Sequence, residues 1–144
     1  MLYADTSALV RAYLADEPDH LELRAAVLEG SGGLITSEIA RVEFASSIRA
    51  AAEARRVSDH MELLDQFDAD CQPDGRIRLV ELRTGPVLRT AKQLVLDHRL
   101  RTLDAIHLAV AVEERDEMAI ADLVFLTRDE DQATAARALG FEVA

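Results

Sequence analysis

Short runs of hydrophobic residues alternate along the chain with longer stretches in which hydrophobic residues recur every three or four positions. The short runs predict buried strands at 2–4, 34–36, 77–82, 123–126 and 141–143. The longer stretches predict helices at 6–14, 18–28, 37–52, 58–67, 87–95, 103–112 and 130–139. Strands that are separated by helices pair in parallel through crossover connections. The pattern therefore predicts an α/β fold, a single domain over 1–144 with a central, mostly parallel sheet of four to five strands flanked by helices.

Polar residues and glycine mark where several of these helices are predicted to begin and end. Thr6 and Ser7 are candidate caps for the first helix, Ser37 for the third and Ser58 for the fourth. A hydroxyl oxygen at such a position can accept a hydrogen bond from the unpaired N–H groups of the first turn. Gly140 follows the last predicted helix, where glycine commonly ends a helix.

Length and composition agree with this fold and exclude several protein classes. The chain has 144 residues, 49% of them hydrophobic and 30% charged, which is typical of a globular domain and not of a disordered chain. No hydrophobic run approaches the ~18 residues of a membrane-spanning helix, and the N-terminus does not resemble a signal peptide. Cys71 is the only cysteine, which excludes an internal disulfide and a cysteine-rich zinc site. We therefore expect a cytoplasmic protein without a membrane partner.

The charge balance limits how the protein can meet a nucleic acid. Sixteen basic against 27 acidic residues give a net charge of −11. A protein that coats DNA or RNA needs a basic surface, so this class is disfavoured. An enzyme that contacts nucleic acid through metal ions is not excluded, since the carboxylates that bind the metal contribute to the negative charge.

Four carboxylates stand at positions where chemistry is expected. Asp5 directly follows the first predicted strand and Asp129 comes just after the fourth, so both should emerge at the same edge of a parallel sheet. Glu43 and Asp104 interrupt hydrophobic helical stretches, where a charge is costly unless it is paired or bound to metal. Oxygen ligands favour Mg²⁺ or Mn²⁺ over zinc, and such a site suits phosphodiester hydrolysis.

Each acid also has a simpler interpretation. Asp5 and Asp129 could be helix caps, and Glu43 could lie on the solvated face of its helix. Asp104 could be an acid in the first turn of a helix, favoured by the helix dipole, or the ion-pair partner of Arg101. Only the joint occurrence of the four acids argues for a shared site.

Other polar residues near these acids have simple interpretations as well. His107 lies one turn after Asp104 and can share its face of the helix, but a lone histidine in a hydrophobic helix is more often a hydrogen-bonded core residue than a ligand. Arg99, Arg101 and Arg128 could be ordinary surface charges. The sequence alone leaves these alternatives open.

At these positions the sequence resembles the PIN-domain endoribonucleases, and most closely the VapC-type toxins of bacterial type II toxin–antitoxin systems. The matching segments are 3–9, 37–44, 100–109 and 126–129, and the resemblance extends over essentially the whole chain. The stretch 103–109, Leu-Asp-Ala-Ile-His-Leu-Ala, is the most specific of them. The order and spacing of the four segments together make the resemblance strong.

The resemblance implies roles for particular residues. The acids that would hold Mg²⁺ or Mn²⁺ and carry catalysis are Asp5, Glu43, Asp104 and Asp129, with Asp5 and Asp104 as direct ligands. Thr6 or Ser7 would contact an acid or a water through the hydroxyl, and Thr127 would orient Asp129. Asp131 is a possible extra acid, which leaves the fourth position open between Asp129 and Asp131.

The resemblance also implies a reaction and partners. An acid would position or deprotonate a water that displaces the 3′ oxygen of an RNA linkage in line, which leaves 5′-phosphate and 3′-hydroxyl ends. Members of the family typically form homodimers. A cognate VapB-type antitoxin would block the site with its tail, and an arginine is the natural inhibitory contact with the carboxylates.

Three other functions can be weighed against this expectation. A phospho-acceptor receiver domain needs an acid pair after the first strand and a lysine after the last, whereas Asp5 is followed by Thr6 and Lys92 lies in a predicted helix. A haloacid-dehalogenase-type phosphatase needs two aspartates one residue apart, and Asp5-Thr6-Ser7 supplies one. A catalytically inactive PIN-like binding module remains as the alternative, and metal dependence would distinguish it from a nuclease.

Overall fold

The strands form one parallel sheet of five strands in a computed structural model that describes all 144 residues. The strands are β1 (Leu2–Ala4), β2 (Leu34–Ser37), β3 (Ile77–Val80), β4 (Val124–Leu126) and β5 (Glu142–Val143). Their order across the sheet is β3-β2-β1-β4-β5, and every neighbouring pair is parallel. The predicted α/β fold with a mostly parallel sheet of four to five strands is confirmed.

Seven α-helices cover the sheet. They are α1 (Thr6–Tyr13), α2 (His20–Arg24), α3 (Ala40–Glu53), α4 (His60–Asp70), α5 (Thr84–Asp97), α6 (Thr102–Glu117) and α7 (Glu130–Ala138). A π-helical turn at Ala25–Glu29 continues α2, so the helix predicted over 18–28 consists of two parts. None of the helices is both long and hydrophobic enough to cross a membrane.

The order in which strands are added to the sheet reverses at β1, although all five strands run parallel. The chain runs from β1 to β2 and β3 on one side, and then adds β4 and β5 on the other side of β1. In open α/β sheets, ligands bind in the crevice outside the carboxyl ends of the strands at this kind of reversal. The residues after β1 and β4 therefore border the position where a site is expected.

Helices cover both faces of the sheet, so both are buried. Successive side chains of a strand point to opposite faces and therefore belong to different cores. On one face, Tyr3 stacks on Phe125 with ring centroids 5.4 Å apart, against residues of α5, α6 and α7. On the other face, Ala4 and Leu126 pack against α1, α3 and α4. Two cores thus fix β1 and β4 side by side and hold the chain segments that follow them.

Two of the predicted helix caps are wrong. Ser37 is the last residue of β2 and pairs with Val80, so α3 begins only at Ala40. The Ser37 hydroxyl lies 3.5 Å from the amide nitrogen of Ile39, longer than an effective hydrogen bond. The start of α4 at His60 likewise has no capping hydrogen bond from a side chain, so Ser58 does not cap it. In both places the sequence offered a suitable residue, but the preceding chain sets the start of the helix.

Of the three residues that the sequence offers as caps of α1, Thr6 and Ser7 are wrong and Asp5 is correct. The structure places Asp5, not Thr6 or Ser7, at the capping position, where its Oδ1 accepts a hydrogen bond from the amide of Ala8 at 3.1 Å. Thr6 and Ser7 are instead the first two residues of the helix. The two hydroxyls are consequently free to bond with side chains at the carboxyl edge of the sheet.

Candidate active site

A polar cavity of about 360 Å³ opens at the carboxyl edge of β1 and β4. All four acids that the sequence predicts line it: Asp5, Glu43, Asp104 and Asp129. Only one of its 13 lining residues is hydrophobic. A larger cavity, of about 650 Å³, lies near α1 and α4 and contains none of these acids. The four acids and this larger cavity are therefore in different places.

Each of the four acids lies at the beginning of a helix. Asp5 and Asp129 cap α1 and α7 through their side chains, and Glu43 and Asp104 lie in the first turns of α3 and α6. The positive end of a helix dipole stabilises a carboxylate at this position. The simple interpretations of Asp5, Asp104 and Asp129 as helix-start acids are thus correct, and they are compatible with a shared site.

Asp5 is the most buried of the four acids, with 4% of its surface exposed. Its Oδ1 accepts a hydrogen bond from the hydroxyl of Ser7 at 2.8 Å. Burial raises the pKa of the Asp5 carboxyl above its usual range, although the charge of His107 and the hydrogen bonds from Ser7 and Ala8 act in the opposite direction. An ionised Asp5 therefore lacks a sufficient counter-charge within the protein itself.

Glu43, which is half-buried, ends a chain of hydrogen-bonded side chains that starts at Tyr3 in the sheet. The hydroxyl of Tyr3 lies 3.0 Å from Nδ1 of His107, and Nε2 of His107 lies 2.6 Å from Oε1 of Glu43. Thr6 donates its hydroxyl hydrogen to the same oxygen at 3.0 Å. Because an ionised carboxylate only accepts hydrogen bonds, Nε2 of His107 carries the hydrogen toward Glu43.

These contacts determine the ionisation of Glu43. Burial acts to raise its pKa, but the hydrogen bond and charge of His107, the hydroxyl of Thr6 and the charge of Arg101 outweigh burial and lower the pKa. His107 is thus a buried core histidine, as the simple interpretation held, and also positions an acid of the site. Its sequence neighbours gave no sign of the contact, because Glu43 precedes it by 64 residues.

Asp104 and Asp129 are joined by one arginine. Nε of Arg101 lies 2.7 Å from Oδ2 of Asp104, and Nη2 of the same guanidinium lies 3.5 Å from Oδ2 of Asp129. The alternative that Asp104 pairs with Arg101 is therefore correct. Arg101 itself is not the isolated surface charge that the sequence allowed, because both of its partners belong to the cavity.

The loop after β4 is held by Thr127 and by a glutamine that the sequence did not single out. The hydroxyl of Thr127 accepts a hydrogen bond from the amide of Asp129 at 3.1 Å and donates one to Oε1 of Gln132 at 2.6 Å. The side-chain amide of Gln132, which is completely buried, donates to the backbone carbonyl of Asp104 at 3.1 Å. Thr127 and Gln132 thus connect two acids of the site through the protein interior.

Ser7 connects the loops that follow β1 and β4. It donates to Asp5 and accepts a hydrogen bond from the backbone amide of Arg128 at 3.0 Å. Asp131, by contrast, is exposed and does not line the cavity. The structure therefore brings together every predicted site residue near the cavity except Asp131.

The family model of the PIN domain matches residues 2–138. This chain belongs to the PIN domain family. Ribonuclease VapC47 of Mycobacterium tuberculosis (strain CDC 1551 / Oshkosh) is 32% identical over 147 residues, which cover 100% of this chain and 96% of the relative. The predicted resemblance to PIN domains of the VapC type is confirmed.

Solved structures show the same fold at lower sequence identity. VapC20 of Mycobacterium tuberculosis, a sarcin–ricin loop cleaving toxin, has a TM-score of 0.68 at 17% identity, over 98% of this chain and 96% of that one. VapBC2 from Rickettsia felis, bound to a DNA fragment from its promoter, has a TM-score of 0.64 at 11% identity, over 100% and 98%. FitAcB from Neisseria gonorrhoeae has a TM-score of 0.58 at 15% identity, over 99% and 96%. At these identities the likeness shows the PIN fold and no more.

The oxygen atoms around the cavity are of the kind that a divalent cation binds, but the side chains are not arranged as a metal-binding group. No group of three or more acidic, histidine or cysteine side chains stands ready to hold a metal ion. The carboxylate oxygens are turned instead toward protein donors, as Asp104 is toward Arg101 and Glu43 toward His107. Four carboxylates from four helix starts around one polar cavity are the oxygen ligands that Mg²⁺ and Mn²⁺ prefer. An ion bound at Asp104 would require the guanidinium of Arg101 to give up its contacts with that carboxylate.

The burial of Asp5 predicts a pH-dependent gain in stability for Asp5→Asn in the absence of metal. An asparagine can keep the cap of α1, and it removes a charge that burial disfavours. Because the pKa of Asp5 is raised in the folded protein above its ordinary value of 3.8, the stabilisation that protonated Asp5 provides is complete below that value. It is lost as the pH rises through the folded pKa.

We therefore expect Asp5→Asn in EDTA to melt at a higher temperature than the wild type at about pH 7.5, with the difference vanishing toward about pH 4. Thermal melts across this range check it. Asp116 is an exposed acid near the end of α6. Asp116→Asn is therefore the matched control and should show no such pH dependence. A lower melting temperature for Asp5→Asn at neutral pH in EDTA would contradict the assigned cost of burial.

A comparison of Asp129→Asn with Asp131→Asn can decide which of the two aspartates is the fourth acid of the site. Asp129 lines the cavity and contacts Arg101, whereas Asp131 does neither. In an RNA-cleavage assay with added Mg²⁺ or Mn²⁺, we expect Asp129→Asn to be at least ~10-fold slower than the wild type, as loss of a ligand or its support makes it, and Asp131→Asn to remain near the wild-type rate. Initial cleavage rates of both variants decide the assignment, and the reverse order would show that Asp131 is the fourth acid.

Proposed function

We propose that this PIN-domain protein is an endoribonuclease toxin that depends on Mg²⁺ or Mn²⁺ and hydrolyses RNA phosphodiester bonds. The observation that carries the proposal is the convergence of Asp5, Glu43, Asp104 and Asp129 on one polar cavity at the reversal point of the sheet. Without a cation, gathering these carboxylates raises their mutual repulsion. A divalent metal removes this cost, and membership of the PIN family supports a nuclease.

In this proposal Asp5 and Asp104 are direct metal ligands, and Glu43 and Asp129 complete the acidic set. When bound, the metal supplies charge stabilisation for the phosphate and a lower pKa for the attacking water. Glu43, whose lowered pKa keeps it ionised, accepts a hydrogen bond from that water, and His107 with Thr6 fixes its position. As the water oxygen bonds to phosphorus, its proton passes to Glu43. The bond to the 3′ oxygen breaks and that oxygen takes a proton from solvent, so the products carry 5′-phosphate and 3′-hydroxyl ends.

We further propose a VapB-type antitoxin as the partner that neutralises the activity, a homodimer as the assembly and the cytoplasm as the place of action. The support is the identity with Ribonuclease VapC47 and the fold shared with the VapBC2 assembly on DNA. A net charge of −11 suits binding to a partner with a basic DNA-binding part. The aromatic content of 4% leaves little for base stacking, so RNA recognition relies on shape and on arginines.

A catalytically inactive PIN-like binding module is the rival function. The pairing of Arg101 with Asp104 and Asp129 favours it, because an arginine already neutralises two of the acids. The rival predicts neither metal binding nor cleavage. It differs from a nuclease with a narrow RNA target, which binds metal but cuts only certain RNAs.

The proposed function is tested by incubating the purified protein, free of any antitoxin, with a mixed RNA pool in Mg²⁺, in Mn²⁺ and in EDTA. We expect discrete cuts in either metal, none in EDTA, and 5′-phosphates that a 5′-phosphate-dependent exonuclease recognises. Mn²⁺ calorimetry on the same sample provides an independent measurement. A folded protein that neither binds Mn²⁺ nor cleaves RNA would overturn the nuclease in favour of the binding module.

A further inference from the structure

Arg101 differs from the other arginines of the active-site cavity in the identity of its partners. Three arginines line the cavity, and Arg101 is the one whose ion pairs are both with acids of the proposed metal site, Asp104 and Asp129. It also approaches the second oxygen of Asp104, since Nη2 lies 3.5 Å from Oδ1. The guanidinium therefore covers both oxygens of a carboxylate that the proposed function assigns to the metal.

The other two arginines pair with acids that do not belong to the four acids of the proposed metal site. Nε of Arg128 lies 3.3 Å from Asp19 and its Nη2 lies 2.9 Å from Glu22. Arg11 lies 3.7 Å from Asp19 and 3.9 Å from Glu17. A metal bound by the four acids would leave these ion pairs intact. Among the three arginines, only Arg101 would lose its partners.

The position of Arg101 makes displacement easy. Its side chain is 79% exposed, so the guanidinium can return to water at little cost, and ion pairs of such exposed residues are weak. A divalent cation interacts more strongly with the same oxygens, because it carries twice the charge on a smaller ion and prefers hard oxygen ligands. A cation on either oxygen of Asp104 repels the guanidinium, whose nitrogens lie 2.7 Å from Oδ2 and 3.5 Å from Oδ1.

We propose that Arg101 is a displaceable counter-ion of the metal site, which the divalent cation releases from Asp104 and Asp129 and which then binds an RNA phosphate. The inference rests on the proposed function. Once released, Arg101 is the only arginine of the cavity lining without a fixed acidic partner. A guanidinium binds a phosphate through two parallel hydrogen bonds, so metal binding prepares the cavity for the substrate.

Arg101→Gln should change metal binding and cleavage in opposite directions. An exposed ion pair of about 0.2–1 kcal/mol that competes with the metal corresponds to about a 1.4- to five-fold change in affinity. We therefore expect Arg101→Gln to bind Mn²⁺ about 1.4- to five-fold more tightly than the wild type in calorimetry without RNA. At saturating Mn²⁺ we expect its kcat/KM on the RNA pool to fall about ten-fold, because a charge-assisted phosphate contact is lost.

Two further variants separate this role from general effects. Arg11→Gln removes the same charge from the same cavity but no contact with Asp104 or Asp129, so its Mn²⁺ affinity should rise less than that of Arg101→Gln. Arg101→Lys keeps the charge and should recover part of the lost cleavage. Damage to the fold would instead weaken metal binding and cleavage together, and circular dichroism monitors it.

The outcomes distinguish this inference from the proposed function. Arg101→Gln that binds Mn²⁺ no more tightly than Arg11→Gln, or that cleaves RNA as fast as the wild type, overturns the role of Arg101 and leaves the nuclease intact. A wild type that binds no Mn²⁺ and cleaves no RNA overturns the proposed function, and the role of Arg101 with it.

Discussion

Asp104→Asn is expected to abolish metal-dependent RNA cleavage and to leave the fold intact. The side chain of Asp104 is 16% exposed at the beginning of α6, and asparagine has nearly the same shape, so packing is preserved. In the proposed function, the substitution removes the negative charge that would bind a divalent cation at this position. Because a metal supplies several kcal/mol of stabilisation to the transition state, we expect kcat/KM to fall by at least ~10²–10³-fold.

Cleavage of the RNA pool in Mn²⁺ and thermal melts in EDTA measure the two parts of this prediction. Asp116→Asn lies on the same helix and is 65% exposed, so it controls for the loss of one carboxylate and should cleave like the wild type. The ion pair with Arg101 contributes about 0.2–1 kcal/mol at most, so the melting temperature should change little. An Asp104→Asn protein that cleaves RNA at the wild-type rate would remove Asp104 from the site.

His107→Ala is expected to reduce both stability and cleavage. His107 is 2% exposed and connects Tyr3 to Glu43. Its removal leaves a cavity in the core and a buried tyrosine hydroxyl without a partner, which together lower the free energy of unfolding by about 2–4 kcal/mol. Glu43 also loses its buried donor, so cleavage should fall by at least ~10-fold, as loss of a supporting hydrogen bond does.

Urea denaturation and cleavage rates, both measured against Tyr3→Phe, check this prediction. Tyr3→Phe removes only the hydroxyl and should cost about 1 kcal/mol, while the bond between His107 and Glu43 remains. We therefore expect Tyr3→Phe to keep most of the cleavage that His107→Ala loses. Equal losses of cleavage in the two variants would show that His107 acts through stability alone, and a His107→Ala protein as stable as the wild type would contradict its place in the core.

The fold and the four acids were predictable because they depend on local sequence signals. Hydrophobic runs of strand length separated by helical periods specify a parallel sheet, and an acid within a few residues after a strand is expected at the carboxyl edge. Asp5 and Asp129 satisfy this rule. Glu43 and Asp104 were identified because their hydrophobic neighbours made a charge unexpected.

The contacts among site residues were not predictable, because they join residues distant in the chain. The bond of Tyr3 to His107 spans 104 residues and that of Gln132 to Asp104 spans 28. No hydrophobic period or residue spacing in a single sequence identifies such a pair. Ser37 failed as a cap for a related reason, since its pairing with β3 extends the strand through the position where the sequence favours a helix start.

Anomalous diffraction from crystals grown with Mn²⁺ tests most directly the claim that the acidic cavity is a divalent-metal site. We expect an anomalous peak roughly 2 Å from carboxylate oxygens of Asp5 and Asp104, with the guanidinium of Arg101 moved away from Asp104. A peak outside the cavity, or no peak at saturating Mn²⁺ with Arg101 still on Asp104, would contradict it.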